Sequence, residues 1–279
     1  MWPLDPPAVS SRHSYETCVG STRDPGRREL LLAAADSVEG AGDRFRSAAH
    51  QNTLHALDST AFSIPGISAA DAVAWAYDRG MVATKSGRVI YDQIMSAPPE
   101  QRCPLCGHGV VRTLDHVLPK KAFPALCVDP LNLVPACADC NHAKGEARPS
   151  SAETTPLHPY LDRIDHDPWL DARIMQSSPI WLEFFVSPPP SWDHVLTDRA
   201  RHHFELFGLS ELFAIQANRT LSSIRHQLAE LKSGNAEVVR AYLSDEAATR
   251  LAHRPNGWEG VTYRTLAGDD RFCNGDLSL

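Results

Sequence analysis

The sequence predicts a mostly helical α+β protein. Three observations point there. Apolar residues recur at three- and four-residue spacing over long stretches on both sides of the chain, a cysteine-rich segment in the middle reads as strand, loop, strand and helix, and a second strand pair follows it. The 279 residues exceed what a single core usually supports, and three regions are expected: a helical region 1–98, a core 99–149 and a mainly helical region 150–279 with a β-hairpin.

In chain order, Leu30, Leu31, Ala34, Val38, Phe45, Ala48, Ala49 and Leu54 mark one helical run from Arg27 to Asp58, broken in two by Gly40 and Gly42. Ser68 and Asp71 form a capping box for a helix up to about Gly80. Another helix spans Val89 to Met95 and stops before Pro98 and Pro99. Gly109 to Leu114 and Leu131 to Pro135 have strand character, and Ala138 to Glu146 helical character. Arg148 to Thr155 is polar and reads as a linker. Trp169 to Met175 and Ile180 to Val186 make the expected hairpin. Ser210 caps a helix that Gly234 stops, Ala236 to His253 forms another, and Trp258 to Leu266 packs back after the turn at Pro255, Asn256 and Gly257.

Composition narrows the function. No apolar run approaches the roughly 20 residues a membrane helix needs, and the amino terminus has neither the basic nor the apolar part of a secretory signal, so a cytoplasmic protein without membrane contact is expected. Seven cysteines in such a chain do not suggest a disulfide framework. The net charge of −7 excludes nucleic-acid binding through bulk charge. Between Arg102 and Arg148, however, six Lys or Arg face four carboxylates, and the local sign reverses.

The chemistry sits between Cys103 and Lys144. Cys103/Cys106 and Cys137/Cys140 are two Cys-x-x-Cys pairs with 30 residues between them, the pattern of a tetrahedral structural zinc site in which each pair supplies two corners. Gly107 relieves the first tight turn. Such a closed site keeps no position for water, so this zinc is expected as scaffolding. Inside the loop lie Asp115-His116, Asn132 ahead of an apolar run, and Asn141 after the last cysteine, with Lys144 one turn on. An Asp-His pair alone is more often an ordinary hydrogen bond. The composite pattern is what carries the reading.

At these residues the chain resembles the HNH endonucleases, a family with a ββα-metal core, in its branch with a four-cysteine zinc cage. The resemblance covers about 45 of the 279 residues. It implies that His116 is the general base, that Asp115 and Asn141 hold a catalytic magnesium or manganese, and that Asn132 orients the His116 loop through backbone hydrogen bonds. Asn141 stands where many members have His. If His142 served instead, its place on the helix would swing by about 100°. Oxygen ligands suit magnesium or manganese better than zinc at this second site. Lys144 is expected to face the phosphate, and Lys120 and Lys121 either track the nucleic-acid backbone or are solvated surface charge. The implied activity is hydrolysis of phosphodiester bonds in DNA. The readings kept beside it are a zinc-stabilised nucleic-acid-binding module that does not cut, and an RNase. The layout of a core with helical flanks also resembles bacterial anti-phage defence nucleases that work with a companion ATPase, and implies such a partner. Cys127 reads as a small buried hydrophobe, the acidic cluster Asp162, Asp165, His166 and Asp167 as a solvated loop, and His202 and His203 as packing or surface residues.

Overall fold

The computed structural model describes residues 2–177, 179–232 and 235–277. The chain is mostly helical with two small antiparallel sheets, and it divides into two compact units, Met1–Arg163 and Ile164–Leu279. The 99–149 segment lies inside the first unit, packed with the helices that precede it.

The first unit begins with helix α1 (Ser11–Gly20), capped by the Ser10 hydroxyl, which accepts from the His13 N–H at 3.1 Å. The apolar pattern does not announce this helix, because two of its buried positions are serines. Ser14 Oγ donates to the Val128 carbonyl at 2.6 Å, and Ser11 Oγ to the Asp129 carboxylate. Helix α2 (Pro25–Ala33) has Asp24 as its cap and proline in its first turn, and α3 (Ala35–His50) follows directly. The expected run from Arg27 to Asp58 is therefore corrected: it divides at Ala34, and α3 passes unbroken through Gly40 and Gly42. Close packing explains the exception, since a Cβ on Gly42 would stand 2.6 Å from Asp129 Oδ2. Beyond His50 the chain turns through two short 3₁₀ segments, Leu54–Ala56 and Ser59–Phe62, in place of the expected continuation of the helix.

The Ser68 hydroxyl caps the next helix as expected, accepting from the Asp71 N–H at 3.1 Å. This element, α4, starts as an α-turn (Ala69–Ala72) and widens into a π-helix over Val73–Val82. Helix α5 (Lys85–Ser96) packs against α4 and against strands β1 (Thr113–His116) and β2 (Leu133–Ala136). The strands pair antiparallel, with Thr113 opposite Ala136 and His116 opposite Leu133. The first strand starts later than the 109–114 expectation because residues 109–111 serve the cysteine knuckle. There the Cys103 N–H donates to the Gly109 carbonyl at 2.7 Å, and the Val111 N–H to the Gln101 carbonyl at 2.9 Å. Helix α6 (Ala138–Lys144) closes the segment. The 148–155 stretch, read as a linker, forms turns within the first unit, and the Arg148 guanidinium lies over the Phe123 ring. Phe45, Phe62, Phe123 and Leu118 fill the core here.

The second unit is built on the hairpin of β3 (Leu170–Met175) and β4 (Trp181–Val186), with Leu170 opposite Val186 and Met175 opposite Trp181. Helices α7 (His194–Leu206), α8 (Leu209–Lys232), α9 (Ala236–His253), α10 (Trp258–Ala267) and α11 (Asp270–Asn274) follow. Ser210 is corrected from cap to interior residue: α8 begins one residue earlier, and Ser210 Oγ donates to the Phe184 carbonyl at 2.8 Å, tying helix to hairpin. Gly234, the expected stop, lies outside the described residues. Asn256 in the expected turn accepts from the N–H groups of Trp169 and Leu170 at 2.8 and 3.1 Å. His203 is buried on α7 and His202 half-buried. No helix among the described residues is long and apolar enough to cross a membrane.

Candidate functional site

The two cysteine pairs come together. Cys103 and Cys106 sit on the knuckle ahead of β1, while Cys137 caps α6 and Cys140 lies in its first turn. Their four sulfur atoms lie within 4.8 Å of one another and all four residues are buried. A zinc–sulfur bond of about 2.3 Å in tetrahedral geometry puts sulfurs roughly 3.8 Å apart. The Cys106 and Cys137 sulfurs are 3.9 Å apart, so the set fits zinc. Backbone N–H groups point at the sulfurs, Gly109 to Cys106 at 3.3 Å and Cys140 to Cys137 at 3.5 Å. Gly107 adopts a φ of +67°, the left-handed turn expected of it. Gly109 has a different role: a Cβ there would stand 2.7 Å from the Cys137 Cβ and 2.8 Å from its sulfur. The four cysteines can hold a structural metal such as zinc.

On the same strand, Asp115 and His116 are both buried. The His116 Nε2 lies 2.9 Å from the Cys127 carbonyl oxygen. A carbonyl only accepts, so Nε2 carries the hydrogen, and in the neutral ring Nδ1 keeps its lone pair. Burial pushes the imidazole down to about 4, which keeps it neutral at physiological pH. Asn132 clamps the loop that supplies this carbonyl. Its Oδ1 accepts from the Leu118 N–H at 2.7 Å, and its Nδ2 donates to the carbonyls of Leu118 and Leu126 at 3.1 Å each. Both ends of the 118–126 loop thus hang on one buried amide.

Asp115 is pushed up to about 6 by burial, against the pull of Lys144. The Lys144 ammonium stands 3.4 Å from Asp115 Oδ2 and donates to the His116 carbonyl at 2.5 Å, pinning α6 to β1. Lys144, expected to face a phosphate, is therefore turned inward, because the buried carboxylate and carbonyl are its nearest acceptors. Asn141 lies one turn earlier on the same face of α6 and is half-buried, whereas His142 is exposed. One carboxylate and one amide oxygen are a donor set that suits magnesium or manganese. Lys120 is half-buried, paired with Asp78 at 3.4 Å, and the exposed Lys121 is paired with Glu146 at 2.5 Å.

Several residues here escape sequence reasoning. The Tyr77 ring lies edge-on to the His116 imidazole at 4.8 Å, and the Lys120 ammonium sits over that ring at 4.1 Å. Behind the hairpin, Tyr160 Oη donates to the Leu133 carbonyl at 3.0 Å, and the His158 Nε2 lies 3.1 Å from the Leu131 carbonyl. Cys127 is fully buried, its thiol pushed up to about 12 by burial, as its reading as a small hydrophobe requires. Of the acidic cluster, Asp162 accepts from the His158 N–H at 2.6 Å and Asp167 from the Trp192 ring N–H at 2.7 Å, one in each unit.

Protein ea31 of Escherichia phage lambda is 30% identical to the chain over 210 residues, which is 68% of this chain and 69% of that protein. The chain belongs to the ea31 family. No family model matches the ea31-family chain, and no solved structure does. Its site is therefore read from its own residues.

Proposed function

We propose that this ea31-family chain is a metal-dependent HNH endonuclease that hydrolyses phosphodiester bonds in DNA, with β1, β2 and α6 as a ββα-metal core pinned by zinc. The observation that carries the reading is the His116 imidazole, held by the Cys127 carbonyl in the tautomer that leaves Nδ1 free to accept a proton. A structural histidine on a strand does not need a neighbouring carboxylate, a clamped loop and an adjoining helix face with an amide. A general base does.

In this reading His116 Nδ1 takes a proton from the attacking water, a role worth about 100- to 10,000-fold in rate. Asp115 and Asn141 would hold the magnesium or manganese, which would supply positive charge to offset that developing on the phosphoryl and leaving oxygens. Asn132 keeps the carbonyl behind His116 in place, so the ring does not rotate away from the water. Lys144 holds α6, the helix that carries Asn141, against β1 at Asp115. Lys120, stacked on Tyr77, is the cation best placed to meet a phosphate near His116.

One observation favours a second reading, a zinc-stabilised module that binds nucleic acid without cutting. Asp115 already has a cation, the Lys144 ammonium. Supercoiled plasmid incubated with the protein in magnesium or manganese separates the two. The nuclease reading expects nicked and linear products that disappear in His116→Ala. Equal behaviour of the two proteins removes it, and preferential cleavage of a competing RNA replaces DNA by RNA as substrate. The resemblance to defence nucleases extends the proposal to a companion ATPase, tested by co-purification from the native host.

A further inference from the structure

We infer that Tyr77, from the π-helix outside the cysteine-bounded segment, is a positioning residue for the His116 imidazole. The inference rests on the nuclease reading and adds to it a group outside the motif. Tyr77 is mostly buried, its ring edge-on to the imidazole with centroids 4.8 Å apart and planes at 66°. The contact fixes what the Cys127 hydrogen bond cannot. One bond to Nε2 sets the tautomer but leaves the ring free to swing about that bond, and a packed aromatic edge stops the swing.

The Tyr77 ring is itself held. The Lys120 ammonium lies over it at 4.1 Å and is tied to Asp78, the next residue of the π-helix. The backbone beneath is wedged between two helices. A Cβ on Gly80 would stand 2.6 Å from the Cys18 carbonyl oxygen of α1, and a Cβ on Gly87 of α5 2.6 Å from the Met81 Cα. Such close approaches leave the π-helix little room to shift. The widened turn is where α-helical register is given up, a deformation common at functional positions. Here it carries Tyr77 to the imidazole and leaves Asp78 on the side that meets Lys120.

The consequence is a division of labour. Cys127 and Asn132 choose which nitrogen of His116 is the base, and Tyr77 sets where that nitrogen points. Misplacing a reacting group by about 1 Å can cost on the order of 100-fold. The test compares Tyr77→Phe, which keeps the ring, with Tyr77→Leu and the unbranched Tyr77→Met, which do not. Zinc content and thermal unfolding identify the folded variants. The expected result is cleavage within about 2-fold of wild type for Tyr77→Phe, and a kcat lowered between about 10- and 100-fold with KM little changed for the ring-less variants.

A second measurement does not depend on turnover. The His116 ring protons, assigned by their absence in His116→Ala, should carry a ring-current shift in the wild type and in Tyr77→Phe, and lose it in Tyr77→Leu or Tyr77→Met. A folded ring-less variant with unchanged kcat overturns the inference, and so does an unmoved His116 resonance. If wild type does not cleave while the resonance behaves as expected, the nuclease reading fails and the Tyr77 contact stands as a structural one.

Discussion

The two ends of the β1–β2 hairpin solve the burial of charge in opposite ways. At one end four buried cysteines face each other, with the backbone N–H groups of Gly109 and Cys140 aimed at the sulfurs of Cys106 and Cys137. At the other end Asp115 is buried beside the Lys144 ammonium, and that ammonium also satisfies the His116 carbonyl. The cage offers four sulfurs to a metal from outside, whereas the Asp115 end carries its own counter-charge. The first end should therefore depend on metal for folding. The second should be preformed without it.

The largest expected effect follows at the cage. Removing zinc with a chelator, or one ligand by Cys137→Ser, should unfold the 99–149 segment, since structural zinc contributes about 10–16 kcal/mol in small zinc domains. Hydrogen exchange read along the chain should show protection lost there. Unchanged protection would break the contrast by showing that the cage folds unaided. Next comes Lys144→Met. It strands a buried carboxylate and should destabilise the protein by about 3–5 kcal/mol in denaturant unfolding. Adding Asp115→Asn should recover most of that loss, and strictly additive losses would mean the two groups do not act as a pair. Gly109→Ala is smaller, roughly 1–3 kcal/mol, because its Cβ must push the Cys137 side chain aside. It should also weaken zinc retention under chelator competition through that clash, whereas Gly107→Ala, with nothing within 4 Å of its Cβ, should act through the strain of its left-handed φ of +67° alone.

The smallest effect is a pH dependence. Asp129 accepts from Ser11 and from the Leu131 and Asn132 N–H groups, and burial holds its pKa above the ordinary 3.8. The folded protein thus keeps a proton that the unfolded chain releases. Stability from this group is fully present below 3.8 and falls as the pH rises through the higher folded-state value, by at most about 1.4 kcal/mol per pH unit. Asp129→Asn should flatten that slope. A slope of the opposite sign in the wild type minus variant difference would contradict the assignment.

What was legible in the sequence was local. The cysteine spacing, the Ser68 cap and the hairpin are short-range patterns, each stating its own geometry. What was not legible depends on partners far along the chain. Helix α1 hides because Ser11 and Ser14 are buried through hydrogen bonds to residues 128 and 129, so its apolar period is broken by polar letters. Gly42 reads as a breaker, yet it sits within α3 where that helix meets the same Asp129. Lys144 reads as a cation facing a phosphate until Asp115 is placed beside it. Tyr77 lies on a π-helical turn, whose side-chain directions a 3.6-residue period does not predict.

The central claim is that the imidazole of His116 performs chemistry on a scaffold that zinc maintains. The direct measurement is the single-turnover cleavage rate of wild type and His116→Ala, with zinc content determined on the same preparations. The account predicts about one zinc per chain in both proteins and a rate at least about 100-fold lower in the variant. Equal rates at equal zinc content would contradict it.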